Sequence, residues 1–340
     1  MKVKVPRLIR KKTEKKPELL ELYNSIQGEL NKVENLLLSI ARSPNKLISE
    51  VGEYLFQKKG KRIRPALLIL CSRLFDYKGE EHIALSAVVE IIHTASLIHD
   101  DIVDKSTMRR GRQTIHAKWG PNVTVLLGDY LYIKSIELAL KSSYSQVIEL
   151  LAETSARMIE GEIYEYYMSG NLETSEEDYL QIINKKTASL FSASCQLGGI
   201  VGNATELEKQ SLADYGTKLG MSFQVIDDLL DYTGEEKTLG KPVLSDLKEG
   251  RITLPLIYTL RKDGSTNQKR IKRILESKNL EKESQEEIID IISSNGALDY
   301  TFEKAKEFSE DSKKSISLFP DSIYRDALCH FADFILTRKK

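Results

Sequence analysis

The spacing of proline constrains this chain more than any other feature. No proline falls between Pro65 and Pro121, and none between Pro121 and Pro242. Proline inside a helix removes a backbone donor and clashes with the preceding turn, so these long runs are free to coil. They are filled with Leu, Ala, Glu, Lys and Ile, which favour helix. Apolar residues recur at helical spacing along them. Leu19, Tyr23, Ile26, Leu30, Val33, Leu37 and Ile40 form one stripe, either core or part of a subunit interface. Ile83, Ala87, Glu90, Ile91, Thr94 and Ile98 mark a largely buried helix. Strand-like alternation with hairpin turns is missing. The expectation is an all-α bundle of about ten or more helices. Residues 261–288 are very polar and contain Asp263-Gly264-Ser265, which predicts an exposed loop and a surface helix.

Composition closes off several function classes. The formal net charge is zero, so no nucleic-acid partner is expected. Residues 1–16 carry eight Lys or Arg and one Glu, the pattern of a solvated tail. Residues 17–340 read as a single helical domain. Cys71, Cys195 and Cys329 have neither zinc spacing nor a disulfide framework. No apolar stretch approaches the roughly 20 residues that span a bilayer. A cytoplasmic protein is expected, with at most transient membrane contact.

Chemistry concentrates in two acidic segments. Asp100-Asp101-Ile102-Val103-Asp104 follows an apolar helical run. A helix puts Asp100 and Asp104 on one face. Such carboxylates repel unless solvated or neutralised by divalent cations, and Mg²⁺ takes oxygen ligands and bridges carboxylates to phosphates. Asp227-Asp228-Leu229-Leu230-Asp231 repeats the spacing. One such motif is as readily a surface patch. Two, each after an apolar segment, can face each other across a bundle and hold metal between them. Cations accompany them. Lys61 and Arg64 lie in Gly60-Lys61-Arg62-Ile63-Arg64-Pro65, and Arg109-Arg110-Gly111-Arg112 follows the first motif. Guanidinium forks suit phosphate oxygens, although arginines beside aspartates also serve as plain ion-pair partners. Lys186 and Thr187 add a cation and a hydroxyl. His93 lies two helical turns before Asp100, near the same face; His99 reads as structural.

In combination these segments resemble the trans-isoprenyl (polyprenyl) diphosphate synthases, over Gly60 to Pro255. The motifs are GKRIRP at 60–65, LIHDDIVD at 97–104, RRGR at 109–112, KTASLF at 186–191, FQVIDDLLD at 223–231 and LGKPVLSDLKEGRITLP at 239–255. The likeness is greatest to long-chain heptaprenyl and octaprenyl diphosphate synthases. It implies a single large helical bundle of the isoprenoid synthase type around a central elongated cavity. It implies that Asp100, Asp104, Asp227 and Asp231 bind Mg²⁺, three ions per site, with Asp101 and Asp228 in support. Lys61, Arg64, His93 and Arg110 would clamp isopentenyl diphosphate. Arg109, Lys186 and Lys241 would contact the allylic diphosphate, and Thr187 and Gln224 would steady a developing carbocation. Arg251 stands where several relatives carry Lys, and it is left out of this set.

The product is expected to grow along the helix leading to Asp100. Ile92, Ala95 and Ser96 lie near that face, and the small side chains at 95 and 96 leave a tunnel open to products of about six to nine five-carbon units. A quinone side chain is the implied destination. A homodimer is implied, and some long-chain synthases need a small second subunit. Short-chain synthesis, a terpene cyclase and a non-catalytic partner subunit are the competing readings. The second full DDxxD motif disfavours the cyclase, and retention of both motifs disfavours the non-catalytic subunit.

Overall fold

The computed structural model describes residues 23–57, 60–109, 111–234, 243–262, 266–276 and 281–338. The basic segment 1–16, Leu19, Arg110, Lys241 and the turn at 263–265 lie outside the described residues. A short turn leads into α1 (Gln27–Ile40), α2 (Lys46–Phe56), α3 (Ile63–Arg73) and α4 (Glu81–Val103). A hairpin of β1 (Met108–Arg109) and β2 (Arg112–Gln113) precedes α5 (Ile115–Ala139), α6 (Gln146–Met168) and α7 (Glu176–Ile183). A π-helical turn, Asn184–Ala188, joins α7 to α8 (Ser189–Val201). Then come α9 (Glu206–Thr233), α10 (Ser245–Lys248), α11 (Leu254–Arg261), α12 (Thr266–Glu276), α13 (Lys282–Ser294), α14 (Ala297–Ser315) and α15 (Ile323–Thr337). The fold is all-α, apart from that hairpin among the described residues. Sequence periodicity missed the hairpin because each strand is two residues long.

The core runs from Tyr23 to Leu336, and α3, α4, α8 and α9 supply its centre. In α3 every residue from Pro65 to Ser72 is buried, so this helix is surrounded on all sides. Tyr23, Ile26, Leu30, Val33 and Leu37 are buried as well. The stripe from 19 to 40 is therefore core over its described part, not an interface. Different residues remain uncovered: Leu126 and Ile133 on α5, and Ile159, Ile163, Tyr166 and Tyr167 on α6. The spacing along α6 is helical, which gives that helix a second, outward apolar face.

Two elements set the position of the acidic motifs. The 23-residue α4 has a mean hydropathy of 1.3, long and apolar enough to cross a membrane, contrary to the sequence reading. Here 67% of that stretch is buried inside the bundle. The 28-residue α9 starts from a capping box in which Thr205 and Glu208 satisfy each other's backbone donors. Both helices end at their aspartates. Asp100 and Asp101 lie in the last turn of α4, Asp104 caps it, and Asp227, Asp228 and Asp231 lie in the last two turns of α9. The helix dipole is negative there, which opposes added negative charge.

Candidate active site

The two C-terminal ends meet at a cavity of 640 Å³. Asp100 and Asp104 line one wall, and Gln224, Asp227 and Asp228 the other. Lys186 and Thr187 enter from the π-turn, Glu165 from α6, Arg109 from the hairpin, and Asp246, Glu249 and Arg251 from the segment around α10. Seven carboxylate side chains thus face four cationic ones. The surplus is negative, and it sits where the helix dipoles already disfavour it.

The ionisation of these groups shows the strain. Burial pushes the Asp100 carboxyl up to about 7; Lys186 and Arg109 work against the rise, while Glu162 and Asp104 add to it. Asp228 is also held well above the usual carboxylate range, by burial and then by the charge of Asp246. It accepts from Tyr179 Oη at 2.6 Å and from Gln224 Nε2 at 2.8 Å. Gln224 Oε1 in turn accepts from Thr187 Oγ1 at 2.9 Å. Thr187, Gln224, Asp228 and Tyr179 are therefore one hydrogen-bonded chain, with the Thr187 hydroxyl at the cavity wall.

The cations are engaged by acids. Lys186 Nζ lies 2.6 Å from Glu162 and 2.5 Å from Glu165. Burial opposes its charge, but Glu165, Asp100 and Glu162 outweigh that and hold it protonated. Arg251 spans the cleft. Its Nη1 reaches both oxygens of Asp104, at 3.2 and 3.1 Å, and its Nη2 reaches Asp246 at 2.9 Å and Glu249. Burial works against this charge too, and Asp246, Glu165, Asp104 and Glu249 prevail. Arg251 is thus inside the site, although the sequence reading left it out. Its difference from lysine did not move it; a guanidinium forks to several acids where an ammonium is a point charge.

Other expected residues stand elsewhere. Asp231 does not reach the cavity. It is wholly buried, accepting from Ser245 Oγ at 2.7 Å and the Asp246 amide at 3.1 Å. It braces the segment carrying Asp246 and is not placed to hold an ion in the cleft. Asp101 accepts from Arg109 Nε at 2.7 Å and faces a second cavity, of 120 Å³. His93 lines that second cavity, together with Arg62, Glu90 and Arg112, two turns up α4 from Asp100. Arg109 borders both cavities. Lys61 and Arg64 line neither; Arg64 stacks on the Phe191 ring, 4.5 Å from its centroid. Ile92 and Ala95 are buried in the core, and Ser96 Oγ donates to the His93 carbonyl at 2.9 Å. None of these three lines either cavity.

Sequence reasoning missed Arg338, just beyond α15. It stacks on Phe223 and donates to Asp227 Oδ1 at 3.0 Å. No local pattern marks one arginine in a basic stretch. Glu162 and Glu165 were missed as well; their signal is a pair of acids three apart on a helix beside a lysine. The π-turn that carries Lys186 and Thr187 is seated against Gly161 of α6, where a Cβ would stand 2.5 Å from the Lys186 amide nitrogen.

The donor set consists of hard carboxylate oxygens, which suit Mg²⁺ or Ca²⁺. Among the described residues no three His, Cys, Asp or Glu side chains converge on one point. The residues fit an ion that takes its remaining oxygens from a bound diphosphate and water.

Comparison with known proteins follows the same line. The polyprenyl synthetase family model matches residues 45–292. The chain is 36% identical over 321 residues to octaprenyl diphosphate synthase of Haemophilus influenzae, covering 94% of this chain and 97% of that one. It is 35% identical over 320 residues to geranylgeranyl diphosphate synthase of Saccharolobus solfataricus, covering 92% and 96%. Among solved structures, a polyprenyl synthase of Caulobacter crescentus complexed with calcium and isoprenyl diphosphate superposes with a TM-score of 0.92 at 33% identity, over 96% of this chain and 100% of that one.

Proposed function

This chain belongs to the polyprenyl synthetase family and is a prenyltransferase, and from that premise we propose that it condenses isopentenyl diphosphate with an allylic diphosphate to make a long-chain all-trans polyprenyl diphosphate. The observation that carries the reading is the meeting of two aspartate motifs across one cavity, with Lys186, Arg109 and Arg251 between them. Isoprenyl diphosphate and a divalent cation in the Caulobacter relative support it.

Lys186, Arg109 and Arg251 would hold the allylic diphosphate in the larger cavity. Asp100, Asp104 and Asp227 would hold Mg²⁺, which when bound neutralises the leaving diphosphate. The allylic C–O bond breaks and its electron pair leaves with the diphosphate. The π electrons of isopentenyl diphosphate form the new C–C bond. A proton lost to the departing diphosphate leaves the new double bond, one five-carbon unit further on. Thr187 and Gln224 present oxygens toward the developing cation, and Asp228 and Tyr179 fix their orientation. The second cavity, beside His93 and Arg109, would take isopentenyl diphosphate, with Lys61 and Arg64 carried on either side of its wall residue Arg62.

The identity to an octaprenyl diphosphate synthase supports a long product of about six to nine units, matched to a quinone side chain. The similar identity to a geranylgeranyl synthase makes a short product the alternative that the test must separate. The uncovered apolar faces of α5 and α6 support a homodimer, and the chain acts in the cytoplasm. The test is incubation of the purified chain with radiolabelled isopentenyl diphosphate and farnesyl or geranylgeranyl primers. Products stopping at four units would replace the long-chain reading, and inactivity cured by a small second protein would add a subunit. Turnover near wild type in both Asp100→Ala and Asp227→Ala would remove the metal-site assignment.

A further inference from the structure

Arg62 lies inside the cationic Gly60–Pro65 segment, yet it does not behave like a ligand-binding residue. Its side chain is 8% exposed. Nε and Nη2 fork onto the carboxylate of Glu34 at 2.6 and 3.1 Å, and Nη1 reaches Glu90 at 2.5 Å. One guanidinium therefore ties α1, through Glu34, to α4, through Glu90. Two carboxylates more than match its charge, so little attraction remains for an incoming anion.

Its backbone is as constrained as its side chain. Arg62 is the N-cap of α3 with φ 49° and ψ 39°, in the left-handed region. That conformation is unfavourable for any residue with a Cβ, and it persists where surroundings over-determine it. The residue before it is fixed from another side, because the Lys61 carbonyl accepts from Tyr23 Oη at 2.5 Å. The residue two beyond it, Arg64, lies over Phe191. Arg62 and Glu90 themselves form part of the wall of the second cavity, with His93 three residues along α4 from Glu90.

We propose that Arg62, gripped by Glu34 and Glu90 and backed by Tyr23, is a positioning residue that locks the left-handed turn and so aims Lys61 and Arg64 at the diphosphate of isopentenyl diphosphate. This rests on the reading that the second cavity takes that substrate. It predicts a role confined to one of the two substrates. Of the allylic-site cations, Lys186 and Arg251 pair with acids outside this bracket, and Arg109, which borders both cavities, pairs with Asp101 and not with Glu34 or Glu90.

The test measures KM for each substrate, kcat and melting temperature in the full chain. Arg62→Lys keeps the charge but loses the fork. It should raise KM for isopentenyl diphosphate about tenfold or more, as expected for lost charged hydrogen bonds, with KM for the allylic primer within about twofold. Tyr23→Phe removes only the bond to the Lys61 carbonyl. It should raise the same KM about threefold at a nearly unchanged melting temperature, and it decides the matter if Arg62→Lys does not fold. A fall in stability with neither KM moved, or with both moved equally, would overturn the proposal. Lys61→Ala and Arg64→Ala separate the two layers. If they raise KM for isopentenyl diphosphate while Arg62→Lys and Tyr23→Phe do not, the bracket is only structural. If they too leave it unmoved, the placement of the substrate is wrong and the bracket falls with it.

Discussion

Metal binding at the cleft should be coupled to proton release, and Asp100 sets the size of the effect. Burial raises its carboxyl from an ordinary 3.8 to about 7. A metal must displace the proton, so at pH 6 roughly a tenth of the chains are ready, against roughly nine-tenths at pH 8. The affinity for Mg²⁺ should therefore be about tenfold lower at pH 6 than at pH 8, or about 1.4 kcal/mol. Calorimetric titration with Mg²⁺ in two buffers of different ionisation enthalpy counts the protons. About 0.9 should leave per ion bound at Asp100 at pH 6 and about 0.1 at pH 8. Asp100→Asn should lose most of that difference. The sign for stability is opposite to that of a salt-bridged aspartate. A raised folded-state value makes the contribution complete below the unfolded value and lost as pH rises through about 7. The metal-free chain should lose stability over that interval, and Mg²⁺ should restore it. Equal affinity at pH 6 and pH 8, with no proton released, would refute this account of the cleft.

Gly161→Ala should disturb the site without touching substrate. The added Cβ would meet Lys186 N at 2.5 Å and Lys185 Cβ at 2.8 Å, so the π-turn must shift. Overpacking of about 1–3 kcal/mol should outweigh the better helix propensity of alanine, lowering the melting temperature and cutting kcat about tenfold or more; unchanged turnover would mean the π-turn geometry is dispensable. Ser96→Phe and Ala95→Phe should shorten the product, read by chromatography of the dephosphorylated alcohols. Ala95→Phe should also reduce stability, since Ala95 is buried, and unchanged lengths in both would place the tunnel on another face.

Much of the molecule was readable in the chain because its main signals are local. The proline spacing delimits the central helices, and repeated aspartates at helical register mark the facing ends of α4 and α9. What escaped depends on long-range packing. Asp231 shares the motif spacing of Asp227, but one helical turn carries it under Ser245 and Asp246 instead of into the cleft. His93 lines the second cavity, which no helical period announces. Arg338 meets Asp227 across 111 positions of sequence, and Arg251 meets Asp104 across 147, separations that no periodicity encodes. The stripe ending at Ile40 had the correct helical period, but period alone does not say whether a face meets its own core or another chain.

The π-turn at Asn184–Ala188 bears on how such a site can be altered by mutation. A π-bulge amounts to one residue more than an α-helix would use over the same span. Substitutions within it leave that surplus intact. Losing a single codon there would let the helix close into regular α geometry with its two flanks nearly in register, but it would re-aim the side chains carried inside the bulge. Lys186 and Thr187 would no longer enter the cavity together. Outside Lys186 and Thr187 this stretch should therefore accept exchanges of letter better than a change of length, a pattern that a deletion scan across 184–188 set beside single substitutions would read directly.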